Sequence, residues 1–136
     1  GRGGGGRGRV REGPSGSLAL HHVALGAADV ERVAGFYRDV FGLPERARQL
    51  DEAGGLRSVW LEIGEALLMI ERSAAAPRRI DGVGRGPFLL AFRVTGEARP
   101  ALEARLAAAG APIETRTEWT SYARDPEGNR IAVSAY

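Results

Sequence analysis

The sequence predicts an α+β domain of two tandem βαβββ modules, which form a curved, mostly antiparallel sheet around a cleft. Three observations support this prediction. The order strand, helix, strand, strand, strand occurs twice between residues 18 and 136. The tripeptide GLP at 42–44, after the first helix, is matched 68 residues later by GAP at 110–112. The turn at Gly64 is matched 64 residues later by the turn at Gly128, so an internal duplication is indicated.

The first module, residues 18–72, begins with the apolar stretch LHHVAL, which is typical of a strand. The helix that follows has the clearest local signals. Asp29 is a good N-cap, apolar residues recur at helical spacing through VERVAGFYRDVFG, and Gly42 followed by Pro44 ends the helix. Three further strands are predicted at 45–50, 57–63 and 66–72.

Residues 73–86 are rich in glycine, proline and arginine and are predicted to link the modules. The second module, residues 87–136, starts with the strand PFLLAFRV. Its helix has Pro100 in the first turn and ends at Gly110. Three strands are predicted at 114–119, 121–124 and 129–135, with the tight turn DPEG between the last two.

Composition and charge limit the classes of partner. Residues 1–17 contain eight glycines, four arginines and one glutamate, so we expect a disordered Gly/Arg-rich leader. The chain has a formal charge of +2, so residues 18–136 carry −1, too little to hold nucleic acid or an anionic membrane surface. The lack of cysteine excludes disulfides and thiolate metal sites. Because we find no apolar targeting segment and no apolar run long enough to span a membrane, we expect a cytoplasmic protein.

Two segments, LHHVALGAADVERVAGFYRDVFGLP near the start and YARDPEGNRIAV at the end, resemble the vicinal oxygen chelate superfamily. That superfamily includes glyoxalase I, extradiol dioxygenases, fosfomycin-resistance enzymes and bleomycin-resistance proteins. The resemblance covers residues 18–136 and implies a single domain with a small-molecule cleft. In enzymes of the superfamily, side chains from the first and last strand of each module usually hold one divalent metal ion.

The resemblance implies four metal positions, of which one carries a metal ligand here. The first-strand position of module one falls on His22, an imidazole. The last-strand position of module one falls on Leu68 or Met69, depending on the alignment of the turn before it. The positions of module two fall on Leu89 and Ala132. Because apolar side chains do not bind a hard divalent ion, we expect no metal and no other cofactor.

Other residues of the expected cleft have two open roles each. His22 either lines the cleft as a hydrogen-bonded residue or acts as ligand or general base. Glu71 shares a strand face with Met69 and would reach the cleft if the strand slipped, but it also suits a solvent-facing strand end. His21 is expected to face away from His22 in a regular strand, so the pair would not form a clamp.

Large rings in the predicted strands either fill the core or stack on a flat ligand in the cleft. Three arginines, Arg57, Arg93 and Arg124, would meet an anionic ligand group if they face inward. No catalytic residue is assigned. The residues predicted to bind a ligand are His22, Trp60, Met69, Glu71, Leu89, Trp119, Tyr122 and Ala132.

The favoured hypothesis is a glyoxalase/bleomycin-resistance-like protein that binds a small organic molecule in the cleft without a metal, and enzymatic activity is not favoured. The alternative is a metal-dependent lyase or dioxygenase, similar to glyoxalase I or the extradiol dioxygenases, with a reorganised site. A second alternative is a structural or regulatory partner domain whose cleft is filled by its own side chains. The resemblance also implies a homodimer that pairs through exposed sheet edges.

Overall fold

The computed structural model describes residues 18–136, and the leader predicted at 1–17 lies outside the described residues. Module one contains β1 (His22–Ala27), α1 (Val30–Phe41), β2 (Glu45–Leu50), β3 (Leu56–Ile63) and β4 (Ala66–Arg72). Module two contains β5 (Leu90–Arg93), α2 (Arg99–Ala108), β6 (Thr115–Arg116), β7 (Thr120–Arg124) and β8 (Arg130–Ser134). The predicted βαβββ order is therefore confirmed in both modules.

The strands form two four-stranded sheets, ordered β1-β4-β3-β2 (sheet one) and β5-β8-β7-β6 (sheet two). In each sheet the first and last strands of the module are parallel neighbours, and the other two pairs are antiparallel. The predicted mostly antiparallel character is thus confirmed. In the described part of the chain, β1 and β5 are edge strands, since each has a hydrogen-bonded neighbour on one side only.

Helix α1 forms where its local signals predict it. The side chain of Asp29 accepts a hydrogen bond from the Arg32 amide at 3.1 Å, which satisfies one of the unpaired amides of the first turn. Gly42 ends the helix with φ of 69°, a left-handed conformation that glycine adopts without steric cost. One face of α1 is buried, through Val30, Val33, Ala34, Phe36, Tyr37 and Val40.

Strand alternation divides each sheet into a helix-facing side and an open face. On the helix-facing side of sheet one, Val59, Leu61, Leu68 and Ile70 are fully buried against α1. The helix-facing side of sheet two carries Ser121, Ala123, Ile131 and Val133, all buried. The apolar residues of both sides belong to one cluster that spans both modules, so residues 18–136 share a continuous core.

The predicted strand at 114–119 is wrong for most of its length, because β6 comprises two residues. Trp119 lies instead in the turn between β6 and β7. The side chain of Thr117 accepts hydrogen bonds from the backbone amides of Trp119 and Thr120, which stabilises this turn in place of a longer ladder. Within residues 18–136, no helix is long and apolar enough to cross a membrane.

Candidate functional site

Four of the predicted ligand-binding residues share the open face of sheet one: His22, Trp60, Met69 and Glu71. Trp60 and Met69 are ladder partners on β3 and β4, and Met69 also pairs with Ala24 on β1. His22 precedes Ala24 by two residues and therefore points to the same side. Because Leu68 faces the core, Met69 is the residue of β4 at the metal position that reaches the open face; its side chain is 8% exposed.

Two further predicted ligand-binding residues, Tyr122 and Ala132, share the open face of sheet two. Tyr122 on β7 pairs with Ala132 on β8, which pairs in turn with Ala91 on β5. The guanidinium carbon of Arg130 lies 4.3 Å from the centre of the Tyr122 ring, a cation–π contact. Leu89 directly precedes β5, two residues before Ala91, and is 36% exposed.

A family model described as Glyoxalase/Bleomycin resistance protein/Dioxygenase superfamily matches residues 19–133. The chain belongs to this superfamily. The resemblance drawn from its two sequence segments is thereby confirmed. A search of curated proteins finds no match.

Solved structures of the same superfamily have the same fold. The fosfomycin resistance protein FosX from Listeria monocytogenes has a TM-score of 0.72 and 18% identity, over 87% of this chain and 90% of that one. Lactoylglutathione lyase from Agrobacterium tumefaciens has a TM-score of 0.62 and 29% identity, over 90% of this chain and 95% of that one. TioX from Micromonospora sp. ML1 has a TM-score of 0.62 and 22% identity, over 86% and 98%.

The residues that the resemblance places at the four metal positions do not fit a divalent ion. His22 supplies one imidazole, Met69 a soft thioether, and Leu89 and Ala132 supply no donor atom. Among residues 18–136, no group of three or more histidine, cysteine, aspartate or glutamate side chains converges on a point. One imidazole leaves a divalent ion without the three or four protein ligands that such sites use.

Glu71 does not compensate for the missing ligands. It pairs with Gly26 at the far end of β1, whereas His22 pairs with Leu67. Four residues of strand, about 13 Å, separate the two positions, so both side chains would have to lie flat along the sheet to share an ion. Instead, the Glu71 carboxylate accepts a hydrogen bond of 2.6 Å from the buried hydroxyl of Ser58.

The two adjacent histidines meet, contrary to expectation. The Nδ1 atoms of His21 and His22 are 2.9 Å apart, and their rings are nearly perpendicular. The expectation that they face apart assumed a regular strand through both residues. It is wrong because both side chains are exposed at the start of the edge strand β1, where the two imidazoles reach each other although the His21 carbonyl still accepts a hydrogen bond from the Leu67 amide.

Trp119 is not brought together with the other predicted site residues. The amide of Ala135 donates to the Trp119 carbonyl, which continues the alternation of β7 by one position. Residue 119 therefore shares the helix-facing side with Ser121, opposite to Tyr122. The Trp119 side chain is 46% exposed and packs edge-on against Tyr136 at 6.4 Å.

Sequence reasoning missed that the two family segments contact each other. The Tyr37 hydroxyl in FYRDVFGLP donates a 2.7 Å hydrogen bond to Asp125 in DPEGN, and both residues are buried. Burial, followed by the charge and hydrogen bond of Asp125, raises the pKa of Tyr37 well above its usual value. The Glu127 carboxylate accepts from the amides of Ala28 and Asp29, at 2.8 and 2.7 Å. These residues join the modules.

Sequence reasoning also missed an ionic cluster that fixes α2 to sheet two. The fully buried hydroxyl of Ser121 donates to the carboxylate of Glu103. Arg116 donates to the same carboxylate, and its hydrogen bond is the first cause of a Glu103 pKa of about 2. The spacing of Arg99 and Glu103, four residues apart on a helix, was the one local signal for this cluster.

Two cavities lie beside the sheets in residues 18–136, and one of them reaches the open face of sheet two through Ala91 and Arg93. A groove of about 510 Å³ separates the edges of β1 and β5, and its lining is apolar except for Arg93. A second cavity of about 590 Å³, between α1 and module two, is lined by charged residues that include Arg79, Glu114 and Arg124. Neither is lined by His22 or the rings of the open faces.

Proposed function

We propose that this superfamily member binds a small organic molecule against the open faces of its modules, without a metal ion. The observation that carries the proposal is the donor set at the metal positions, one imidazole with a thioether and two apolar side chains. The alternation of the strands supports it, because it directs His22, Met69 and Ala132 to these open faces. Apolar floors with few polar groups are typical of small-molecule sites.

Trp60 supports an aromatic ligand that carries a hydrogen-bond acceptor. Its ladder partners are Met69 on one side and Ala47 on the other, so the three side chains share the open face. Its indole N–H is shielded from solvent and has no hydrogen-bond partner among residues 18–136. A buried donor without an acceptor costs about 1–3 kcal/mol, so a ligand acceptor toward which the ring can turn would be favourable. We therefore assign Trp60 as the stacking residue of the site.

The proposed ligand site includes a second copy of the chain. Among residues 18–136, the edge strands are β1, β2, β5 and β6. We take β1 and β5 as the paired edges because an exposed leucine precedes each of them: Leu20 is 65% exposed and Leu89 is 36% exposed. Unpaired edges with apolar flanks favour pairing with another strand. In a two-fold dimer, β1 of each copy meets β5 of the other, which brings an open face of sheet one beside one of sheet two.

Sedimentation equilibrium at micromolar concentration tests the dimer. We expect a mass of two chains, and a mass of one chain after Leu20→Asp, because a carboxylate at the paired edge would be desolvated without a partner. Arg85→Asp, at an exposed position of the segment between β4 and β5, is the control and should leave the dimer intact. A single-chain mass for the unsubstituted protein would refute the dimer.

We also propose that the protein is located in the cytoplasm, which cell fractionation tests.

Thermal unfolding of the metal-stripped protein tests the metal-free part of the proposal. The protein is heated with Ni, Zn, Mn, Co or Fe(II), and His22→Ala serves as control. A specific ion at a hundredfold excess over its Kd would add about 2.7 kcal/mol, which raises the melting temperature by several degrees in a domain of this size. We expect no such shift. A shift that His22→Ala abolishes would refute the proposal.

Ligand-observed NMR with a library of flat aromatic fragments tests the binding part. The chain offers a matched pair of variants, because Trp60 lies on the open face and Trp119 on the helix-facing side. We expect fragments that bind the unsubstituted protein and Trp119→Phe but bind Trp60→Phe at least tenfold more weakly. Fragments that bind both variants equally would contradict the assignment of the site.

The alternative function is a metal-dependent lyase or dioxygenase with a reorganised site. It is favoured by His22, which occupies a metal position, and by the 29% identity to lactoylglutathione lyase from Agrobacterium tumefaciens. Metal-induced stabilisation in the experiment above would support it. A structural or regulatory partner domain, the second alternative, predicts that neither metal ions nor aromatic fragments bind.

A further inference from the structure

We propose that the open face of sheet two carries a subsite for the anionic group of the ligand, a carboxylate, phosphate or phosphonate, formed by Arg130 and Arg93. The inference rests on the proposed function, because the subsite belongs to the same open face. It adds the charge of the ligand and the residues that would recognise it.

The Tyr122 ring fixes the position of the Arg130 guanidinium and its N–H donors. The guanidinium lies over the ring at 4.3 Å from the centre, on the open face of the sheet. A guanidinium stacked on an aromatic ring keeps its N–H donors at the rim, where they match the two oxygens of a carboxylate or phosphate. Because the contact with Tyr122 limits the motion of Arg130, less rotamer entropy is lost when an anion binds.

Arg93 extends the positive charge across the same face. It pairs with Ser134 on β8, beside the hydroxyl pair of Ser134 and Thr120, whose oxygens are 2.8 Å apart. Between Arg93 and Tyr122 the floor consists of Ala91 and Ala132, so small side chains leave space above the sheet. Four residues of strand, about 13 Å, separate the register positions of Arg93 and Arg130, so their long side chains would have to extend toward each other above this floor to share an anionic group.

In the described part of the chain, the lack of an ion-pair partner distinguishes these two arginines from Arg124, the ladder partner of Arg130, whose guanidinium pairs with Glu114. Among residues 18–136, neither Arg93 nor Arg130 forms an ion pair or a side-chain hydrogen bond. Other arginines of module two are paired: Arg116 with Glu103, and Arg124 with Glu114. An anionic ligand would supply the missing partner.

Calorimetric titration of the full-length protein with 2-naphthoate, 2-naphthol and inorganic phosphate tests the subsite. The naphthalenes share one ring system and differ in charge at pH 7. We expect 2-naphthoate to bind at least tenfold more tightly than 2-naphthol. We also expect Arg130→Gln to weaken 2-naphthoate at least tenfold and 2-naphthol less than twofold, while Arg130→Lys, which keeps the charge but loses the planar fork, falls between them.

Arg57→Gln is the matched control for charge. Arg57 is exposed, has no ion pair among the described residues, and shares the helix-facing side of β3 with Val59 and Leu61. We expect it to change 2-naphthoate binding less than twofold. An equal loss in Arg57→Gln and Arg130→Gln would overturn the subsite, because it would indicate attraction by net charge alone. The melting temperature of each variant confirms that it folds.

The outcomes separate the subsite from the proposed function. If 2-naphthol binds as tightly as 2-naphthoate, the anionic subsite is wrong and the aromatic site stands. If Arg130→Gln weakens the binding of inorganic phosphate, but neither naphthalene binds more tightly than phosphate, the subsite stands and the aromatic ligand is wrong. If none of the three binds, both proposals are overturned.

Discussion

Replacing Tyr37 with phenylalanine tests whether the junction between the modules stabilises the fold. The change removes a single hydroxyl, which donates to the Oδ2 atom of Asp125 at 2.7 Å. Tyr37 is fully buried and Asp125 is 4% exposed, so water does not replace the lost donor. Asp125 keeps hydrogen bonds from the Glu127 and Asn129 amides and from the Asn129 side chain. Its carboxylate therefore loses one hydrogen bond and keeps three.

The expected cost follows from this geometry. A hydrogen bond to a charged group contributes about 1.5–3 kcal/mol. Because Asp125 keeps three other donors, we expect Tyr37→Phe to lower the free energy of unfolding by about 2 kcal/mol. In a domain of this length, that loss lowers the melting temperature by about 6–10 °C. Urea unfolding at neutral pH measures the free energy directly.

Tyr122→Phe is the matched control, because the Tyr122 hydroxyl has no hydrogen-bond partner among residues 18–136. We expect it to change the free energy of unfolding by less than about 0.5 kcal/mol. In a double-mutant cycle with Asp125→Asn, Tyr37→Phe should show a coupling of about 1 kcal/mol or more. A cost for Tyr37→Phe no larger than that for Tyr122→Phe would refute the reasoning.

Alkaline pH provides a second measurement on the same contact. Burial first, and then Asp125, raises the pKa of Tyr37 in the folded state. Below about pH 10, the usual pKa of tyrosine, the phenol is neutral in both states and its contribution is complete. Above that pH the unfolded state loses the proton first, so stability should fall as the pH rises. The fall should be smaller in Tyr37→Phe, and equal slopes would contradict this account.

Three further changes test local contacts. Glu127→Gln should cost about 1 kcal/mol in urea unfolding, because a neutral amide replaces the carboxylate at the N-terminus of α1; unchanged stability would argue against this capping. The hydrogen bond from Arg116 is the first cause of a Glu103 pKa of about 2, against a usual value of 4.5. The stabilisation by Glu103 should therefore be complete above pH 4.5 and lost as the pH falls toward 2. In Glu103→Gln, the melting temperature should depend less on pH over that interval. Gly42→Ala should cost about 1–2 kcal/mol because φ is 69°, whereas Gly35→Ala inside α1 should not destabilise.

Local signals predicted most of the secondary structure. The predicted bounds 45–50 and 66–72 are those of β2 and β4, and α1 ends at the residue before Gly42. These elements depend on neighbours within one or two turns of chain: a capping side chain, a glycine at positive φ, or strand alternation. The second module was predicted less well. At Trp119 a turn held by Thr117 ends the ladder, and β-propensity alone does not reveal it.

The composition of the candidate site was partly predictable, and its faces were not. Alternation already grouped Met69 with Glu71, but the alignment left Leu68 as an alternative to Met69. The register of β4 against β1 and β3 decides between them, because it directs Leu68 into the core. The same register separates Glu71 from His22. A strand pattern gives the relative orientation of its residues, whereas the partner strands decide which side meets the helix.

By itself the sequence determined the duplicated βαβββ order and the superfamily, since both are encoded in local patterns and segments. Only the tertiary structure decided what those segments do. Tyr37 and Asp125 are 88 residues apart and no local periodicity relates them, yet they form a buried hydrogen bond. Arg130 likewise meets Tyr122 only because β7 and β8 pair in one register. Which distant group satisfies a buried carboxylate, or leaves a guanidinium unpaired, is fixed by packing in three dimensions.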